Sequence, residues 1–204
     1  SMRPTLISAI GTPLTAEEGL HRDGLHKHLD EQYAAQIDGI LVAGTMGLMQ
    51  LLADTTYFDL VAQCATWWRG KGEILVGVGD ASYARTVERI RLVNDMRLDG
   101  VVVLSPYFVS FTQDELLGYF RSLADVSRAP LFLYDLPQRT RTSLEINTVL
   151  ALADHPNIAG IKCSGDIEQT RRLIKELHGS SFRVIIAQPT QLDELLYEGV
   201  CEHL

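Results

Sequence analysis

Lys162 closes an apolar run, Ile158-Ala159-Gly160-Ile161, and a lysine at the end of such a strand holds its ammonium in a poorly solvated place. Desolvation disfavours the charged form and lowers a lysine pKa. A neutral amine attacks a carbonyl and forms a Schiff base. The plainer alternative is a strand-end lysine that snorkels to solvent or pairs with Asp166. Tyr134 ends the preceding apolar run, Leu131-Phe132-Leu133, and neighbouring strands end near one another. A phenol beside an amine can shuttle protons during imine formation and C–C bond cleavage. A buried tyrosine with a satisfied hydroxyl is the alternative there.

Three further groups could complete such a site. The turn Gly44-Thr45-Met46-Gly47 places two glycines between a strand and a helix, which frees backbone N–H groups to point at a carboxylate. Thr45 adds a hydroxyl; a plain turn is the commoner use of such glycines. Arg139, in Asp135-Leu136-Pro137-Gln138-Arg139-Thr140, could clamp a second carboxylate bidentately or lie on the surface. Tyr107, after Ser105-Pro106, could line the same mouth or pack at a subunit contact. Other signals are weak. Gly77-Val78-Gly79 has Ser82 where a dinucleotide fingerprint needs its third glycine, and Asp99 precedes a strand instead of ending one. His26 and His28 are two apart on a helix and share no face, so no metal site is readable.

The elements that must carry these residues alternate along the chain. The strands predicted are Thr5–Ile10, Gly39–Ala43, Ile74–Val78, Gly100–Leu104, Leu131–Tyr134, Ile158–Ile161 and Val184–Ala187. The helices predicted are Asp23–Gln36, Asp54–Trp68, Tyr83–Met96, Gln113–Ser127, Ser143–Ala153, Ile167–Leu177 and Gln191–Tyr197. Thr112 and Glu115 form a capping-box pattern, Asp166 precedes an amphipathic run, and Gly179 stops it. Strand then helix, repeated, means right-handed βαβ units and a parallel sheet. Units of roughly 25–30 residues fit a (β/α)₈ TIM barrel, with an open doubly wound sheet as the alternative. The chain ends at Glu202-His203-Leu204, where an eighth strand should begin, so the barrel reads as truncated before or at that strand.

Composition narrows the partners. The 204 residues carry 18 Lys+Arg against 26 Asp+Glu, a formal net charge of −8. That acidic balance argues against nucleic acid or an anionic membrane as a partner. The chain is 46% hydrophobic with mean hydropathy +0.05, as globular domains are, and no apolar run nears the roughly 20 residues of a membrane span. Cys64, Cys163 and Cys201 are odd in number and widely spaced, which fits a reducing cytoplasm better than a disulfide framework. No secretory signal pattern is visible.

Four motifs, in order and suitably separated, resemble the dihydrodipicolinate synthase / N-acetylneuraminate lyase family of class I, pyruvate-handling aldolases. They are Gly11-Thr12-Pro13, Gly44-Thr45-Met46-Gly47, Tyr134-Asp135-Leu136-Pro137-Gln138-Arg139-Thr140, and Gly160-Ile161-Lys162 with Ser164-Gly165-Asp166. The resemblance implies one (β/α) barrel domain over residues 2–204, without the family's C-terminal helical extension, and a homo-oligomer, tetramer or dimer. It gives Lys162 the imine with pyruvate, Tyr134 the proton shuttle, and Thr45, Met46 and Gly47 the pyruvate carboxylate. Arg139 would receive the carboxylate of an aldehyde such as aspartate semialdehyde, giving 4-hydroxy-tetrahydrodipicolinate, and Tyr107 falls in an aromatic pair at a subunit contact. No metal or organic cofactor is implied, because the protonated imine is the electron sink. The sequence departs from the family at Met46, where a second hydroxyl is usual, at Leu48, at Phe108 in place of a tyrosine, and in the short loop after Lys162. Those departures keep two alternatives open: a sugar-acid or hydroxy-oxoglutarate aldolase or dehydratase, and a non-catalytic paralogue that binds 2-oxo acids.

Overall fold

In the computed structural model, residues 5–44, 49–187 and 202–203 are described. Each apolar run of the sequence forms a strand: β1 Thr5–Ala9, β2 Gly39–Val42, β3 Glu73–Gly77, β4 Gly100–Leu104, β5 Leu131–Asp135, β6 Ile158–Cys163 and β7 Arg183–Ile186. β2, β4 and β5 are buried on both faces along their whole length, as parallel strands covered by helices must be. All neighbouring pairs are parallel and consecutive. Glu202–His203 form a two-residue β8 that pairs with β7 and with the start of β1, so the ring closes. The architecture is therefore a (β/α) TIM barrel whose last strand is minimal, and the open-sheet alternative is excluded.

The helices are α1 Arg22–Ala34, α2 Asp54–Trp67, α3 Tyr83–Val93, α4 Gln113–Val126, α5 Pro137–Thr140, α6 Ile146–Ala153 and α7 Ile167–Glu176. The Thr112–Glu115 capping box is formed in both directions, and Asp166 caps α7 through the Gln169 N–H. Gly179 has φ +81°, the left-handed conformation that glycine tolerates after a helix end. Two elements differ from the sequence expectation. The run Ser143–Ala153 becomes helical only at Ile146, because Glu145 is extended and Leu144 is held by a side chain from β5. A one-turn α5 follows β5, started by Pro137, whose fixed φ and missing N–H suit the first helical position. A predicted helix over Gln191–Tyr197 lies outside the described residues.

Inside the ring, Phe132 fills the space left by two glycines. A Cβ on Gly100 would stand 2.5 Å from the Phe132 ring, and one on Gly160 2.8 Å from it. Below Phe132 the Arg183 guanidinium lies 5.4 Å from the ring centroid and pairs with Glu73 at 2.7 Å, tying β7 to β3 across the bottom of the barrel. The same alternation that sends Phe132 inward sends Tyr134 inward one layer higher, and Gly160 is followed by Lys162 in the same way. No helix among the described residues is long and apolar enough to cross a membrane.

Candidate active site

β5 and β6 bring Tyr134 and Lys162 side by side, as directly paired residues at the carboxyl ends of their strands. The Lys162 Nζ lies 4.0 Å from the centroid of the Tyr134 ring, and both residues are buried, Lys162 to 5% exposure. Lys162 has no carboxylate partner among the described residues, and Asp166 serves α7 as its cap instead. The snorkelling and ion-pair alternatives are therefore excluded. Burial lowers the Lys162 pKa from 10.5 to about 7. A large fraction of the amine is then neutral near pH 7, which is the state a nucleophile needs. A small apolar cavity beside Tyr134 is lined by Leu41, Ala43, Gly44, Met49, Gln50, Gly77, Val102 and Leu104.

Thr45, Met46 and Gly47 lie outside the described residues. The turn that carries them departs from Ala43, a buried residue at φ +53°. This left-handed conformation is costly for a residue with a Cβ and bends the chain away from β2. Gly77 on β3 makes the bend possible: a Cβ there would meet the Ala43 carbonyl at 2.1 Å.

Arg139 sits on α5, exposed, and its guanidinium has no protein partner among the described residues. The turn beneath it is fixed. Thr140 Oγ1 donates to the carbonyls of Leu136 and Thr142, and Gln138 Nε2 donates to the Ser164 carbonyl at 2.7 Å. That last bond ties the Arg139 turn to the loop that follows Lys162.

Tyr107 is half-buried, and its hydroxyl lies 3.5 Å from Asp80 Oδ1. Burial and then the Asp80 charge raise its pKa. Phe108 and Val109 beside it are exposed, Phe108 to 80%. Asp80 anchors a charged cluster that residue spacing did not disclose. Its carboxylate is 3.2 Å from Arg85 Nε and 3.8 Å from Arg89 Nε, and Ala81 donates its N–H to it. Burial opposes the charge, but the Ala81 N–H and the two arginines outweigh it and hold the carboxyl below the usual range. Arg89 also donates to the Leu52 carbonyl and stacks 4.1 Å from the Tyr57 ring centroid. An arginine on the inward face of an otherwise apolar helix stripe, Val87-Ile90-Val93, was the available signal.

A larger groove lies elsewhere. A cleft of about 800 Å³ runs between α2 and α3 at the opposite end of the barrel, where Arg69 and Arg97 stand with Asp95 and Asp99. It gathers no lysine, histidine, cysteine or serine, whereas the buried Lys162 lies at the other end. Among the described residues no three His, Cys, Asp or Glu side chains converge as metal ligands would.

Comparison with known proteins points the same way. The 4-hydroxy-tetrahydrodipicolinate synthase of Stenotrophomonas maltophilia R551-3 is 33% identical over 181 residues, covering 88% of this chain and 61% of the relative. Synthase 1 of Streptomyces coelicolor is 34% identical over 169 residues, covering 82% and 55%. The chain thus spans about three-fifths of the length of these curated relatives. The structure superposes on the synthase of Methylacidiphilum fumariolicum SolV with a TM-score of 0.92 at 26% identity, covering all of this chain and 68% of that one. The chloride-inhibited Acinetobacter baumannii dihydrodipicolinate synthase, solved with pyruvate, gives 0.92 at 26% identity, covering 100% and 70%. The model of the dihydrodipicolinate synthetase family matches residues 3–197. With its motifs, its barrel and its buried lysine in agreement, this chain belongs to the dihydrodipicolinate synthetase family.

Proposed function

We propose that the protein is a Schiff-base-forming lyase or synthase that joins pyruvate to an aldehyde, in the manner of a 4-hydroxy-tetrahydrodipicolinate synthase. The observation that carries this reading is a lysine buried against a tyrosine ring at the top of the barrel, without a counter-charge among the described residues. Neutral Lys162 Nζ attacks the C2 carbonyl of pyruvate, and Tyr134 passes a proton to the oxygen that leaves as water. The resulting iminium withdraws electrons from C3, which loses a proton to give an enamine. The enamine carbon adds to the aldehyde carbonyl, whose oxygen takes up a proton; water returned to C2 frees Lys162 and an open-chain adduct, and the amine of an amino-aldehyde substrate closes on C2 with loss of water to give the ring.

The carboxylates set the geometry. Backbone N–H groups of the Thr45, Met46 and Gly47 turn take the carboxylate of pyruvate, with the Thr45 hydroxyl in the proton relay. Arg139, exposed at the mouth and without a partner among the described residues, takes the carboxylate of an acidic aldehyde by a bidentate pair. The synthase names of the relatives favour aspartate semialdehyde over a sugar-acid aldehyde. Exposed Phe108 and Val109 beside Tyr107 suit a contact with a second copy of the chain, which fits a homo-oligomer of one-domain protomers. A cytoplasmic setting agrees with the two buried, free cysteines among the described residues.

Incubation with pyruvate followed by borohydride reduction tests the reading. A pyruvyl adduct on the peptide that contains Lys162, lost in Lys162→Ala, is the expected result. A folded protein that gains no mass overturns it.

A further inference from the structure

Asp135 follows Tyr134 in β5, and strand alternation turns it to the opposite face, out of the barrel and under the loops of its mouth. Its carboxyl is buried there, at 5% exposure. Oδ1 accepts the backbone N–H of Leu144 at 3.1 Å. The Gly165 backbone packs so close to Oδ2 that a Cβ would stand 3.1 Å from it. The main-chain carbonyl of Asp135 accepts the Ser164 N–H at 3.0 Å. One residue thus sits where two segments cross: residues 136–144, which carry Arg139, and the loop that follows Lys162.

Among the described residues, the groups against this carboxyl are uncharged: Leu144 from the segment before α6, Gly165 from the loop after β6, and Cys163 from β6, with Pro137 of α5 beside Gly165. The Cys163 thiol is pushed up to about 12, by burial first and by Asp135 second, and it bonds Thr170 of α7. No cation compensates the carboxylate among the described residues. Burial therefore raises Asp135 from 3.8 to about 6, opposed by the Leu144 N–H. An ionised acceptor holds an N–H more strongly than a neutral one.

We propose that Asp135 is a positioning residue whose ionised carboxylate grips the Leu144 N–H and so fixes the segment that carries Arg139, a grip that protonation releases. This rests on the imine reading for its catalytic meaning and deepens it: acid weakens capture of the second, acidic reactant. It does so apart from the nucleophile, because the Lys162 shift has burial as its cause and not Asp135.

Amide exchange at Leu144, corrected for the intrinsic effect of pH on exchange, tests the grip from pH 5 to 8. Protection in the unaltered chain should fall about fivefold as pH drops through the Asp135 transition, the difference between a charged and a neutral acceptor. In Asp135→Asn, which keeps an acceptor oxygen but cannot ionise, protection should be level with pH. A Leu144 amide indifferent to pH in the unaltered chain, or a pH step that survives in Asp135→Asn, overturns the proposal. The catalytic meaning is read from the KM for aspartate semialdehyde at saturating pyruvate. It should rise in acid for the unaltered chain and not for Asp135→Asn; a parallel rise in both overturns that part. Pyruvate trapping on Lys162 in the unaltered chain is run alongside. Its failure would remove the imine reading and leave the exchange result to decide the role of Asp135.

Discussion

Two cations are buried at the upper end of this barrel, and they are treated in opposite ways. Arg89, on α3, is 2% exposed and surrounded by acceptors: Asp80, Asp54, the Leu52 carbonyl and the face of Tyr57. Lys162, on β6, is 5% exposed, has the Tyr134 ring beside its Nζ, and has no counter-charge among the described residues. A guanidinium holds its charge at any pH a protein meets, so the fold must supply partners for it. An ammonium can shed its proton, so withholding partners turns the same burial into reactivity. The residue given counter-charges is structural, and the residue denied them is the one we propose as the nucleophile.

The sharpest test of this contrast removes the lysine. Lys162→Met should abolish the pyruvate adduct, read by intact mass after reduction. It should also raise stability near neutral pH, because the native state there is burdened by a lysine it holds partly deprotonated. A lysine lowered to about 7 in the native state and ordinary at 10.5 when unfolded gives a native protein that gains stability as pH rises between those values. The advantage of Lys162→Met should therefore be largest at or below pH 7, with an upper bound of about 5 kcal/mol, and fade towards pH 10.5. Thermal unfolding of both proteins across that window checks the sign.

Next in size are two kinetic effects. Tyr134→Phe keeps the ring under Nζ and removes only the phenol; trapping should slow by about 100-fold with the pH midpoint unmoved. If the midpoint moves instead, the hydroxyl, and not burial, sets the lysine. In the unaltered chain the trapping rate should climb about tenfold per pH unit below 7 and level off above it, as the neutral amine accumulates. A rate that still climbs steeply at pH 9 would place Lys162 with ordinary surface lysines.

The last effect, on stability and not on rate, belongs to the arginine. Arg89→Met leaves the buried Asp80 carboxylate with the exposed Arg85, the Ala81 N–H and the Tyr107 hydroxyl, and should cost about 3 kcal/mol by urea unfolding. Adding Asp80→Asn should recover part of that loss. Additive losses would show that the two do not act as a pair.

Much of this contrast could be read from the chain before any coordinates. The apolar runs Gly100–Leu104 and Leu131–Tyr134 mark their strands to within one residue, because strands buried on both faces must be apolar throughout. The same runs place Tyr134 and Lys162 at strand ends, and the parallel order of the sheet brings them together. Arg89 was hidden because its partners come from two other segments, Leu52 and Asp54 at the start of α2 and Asp80 after β3, a tertiary fact without local spacing. α5 was hidden because a four-residue helix has no period to detect. Asp135 was hidden in plain view: inside a motif it reads as part of the active face, and only the observed pleat shows that it points away from it. The filling of Gly100 and Gly160 by one phenylalanine is likewise a matter of three strands meeting, not of any one of them.

The floor made by Phe132 over the Arg183–Glu73 pair has a kinetic consequence. Among the described residues, Phe132, Arg183 and Glu73 fill the ring beneath Tyr134 and Lys162. On the proposed reading the reactants therefore come to Lys162 from the loop end, and the one that bonds to the amine is seated beneath the one that follows. The plugged end would then impose an order of addition through residues that touch no substrate.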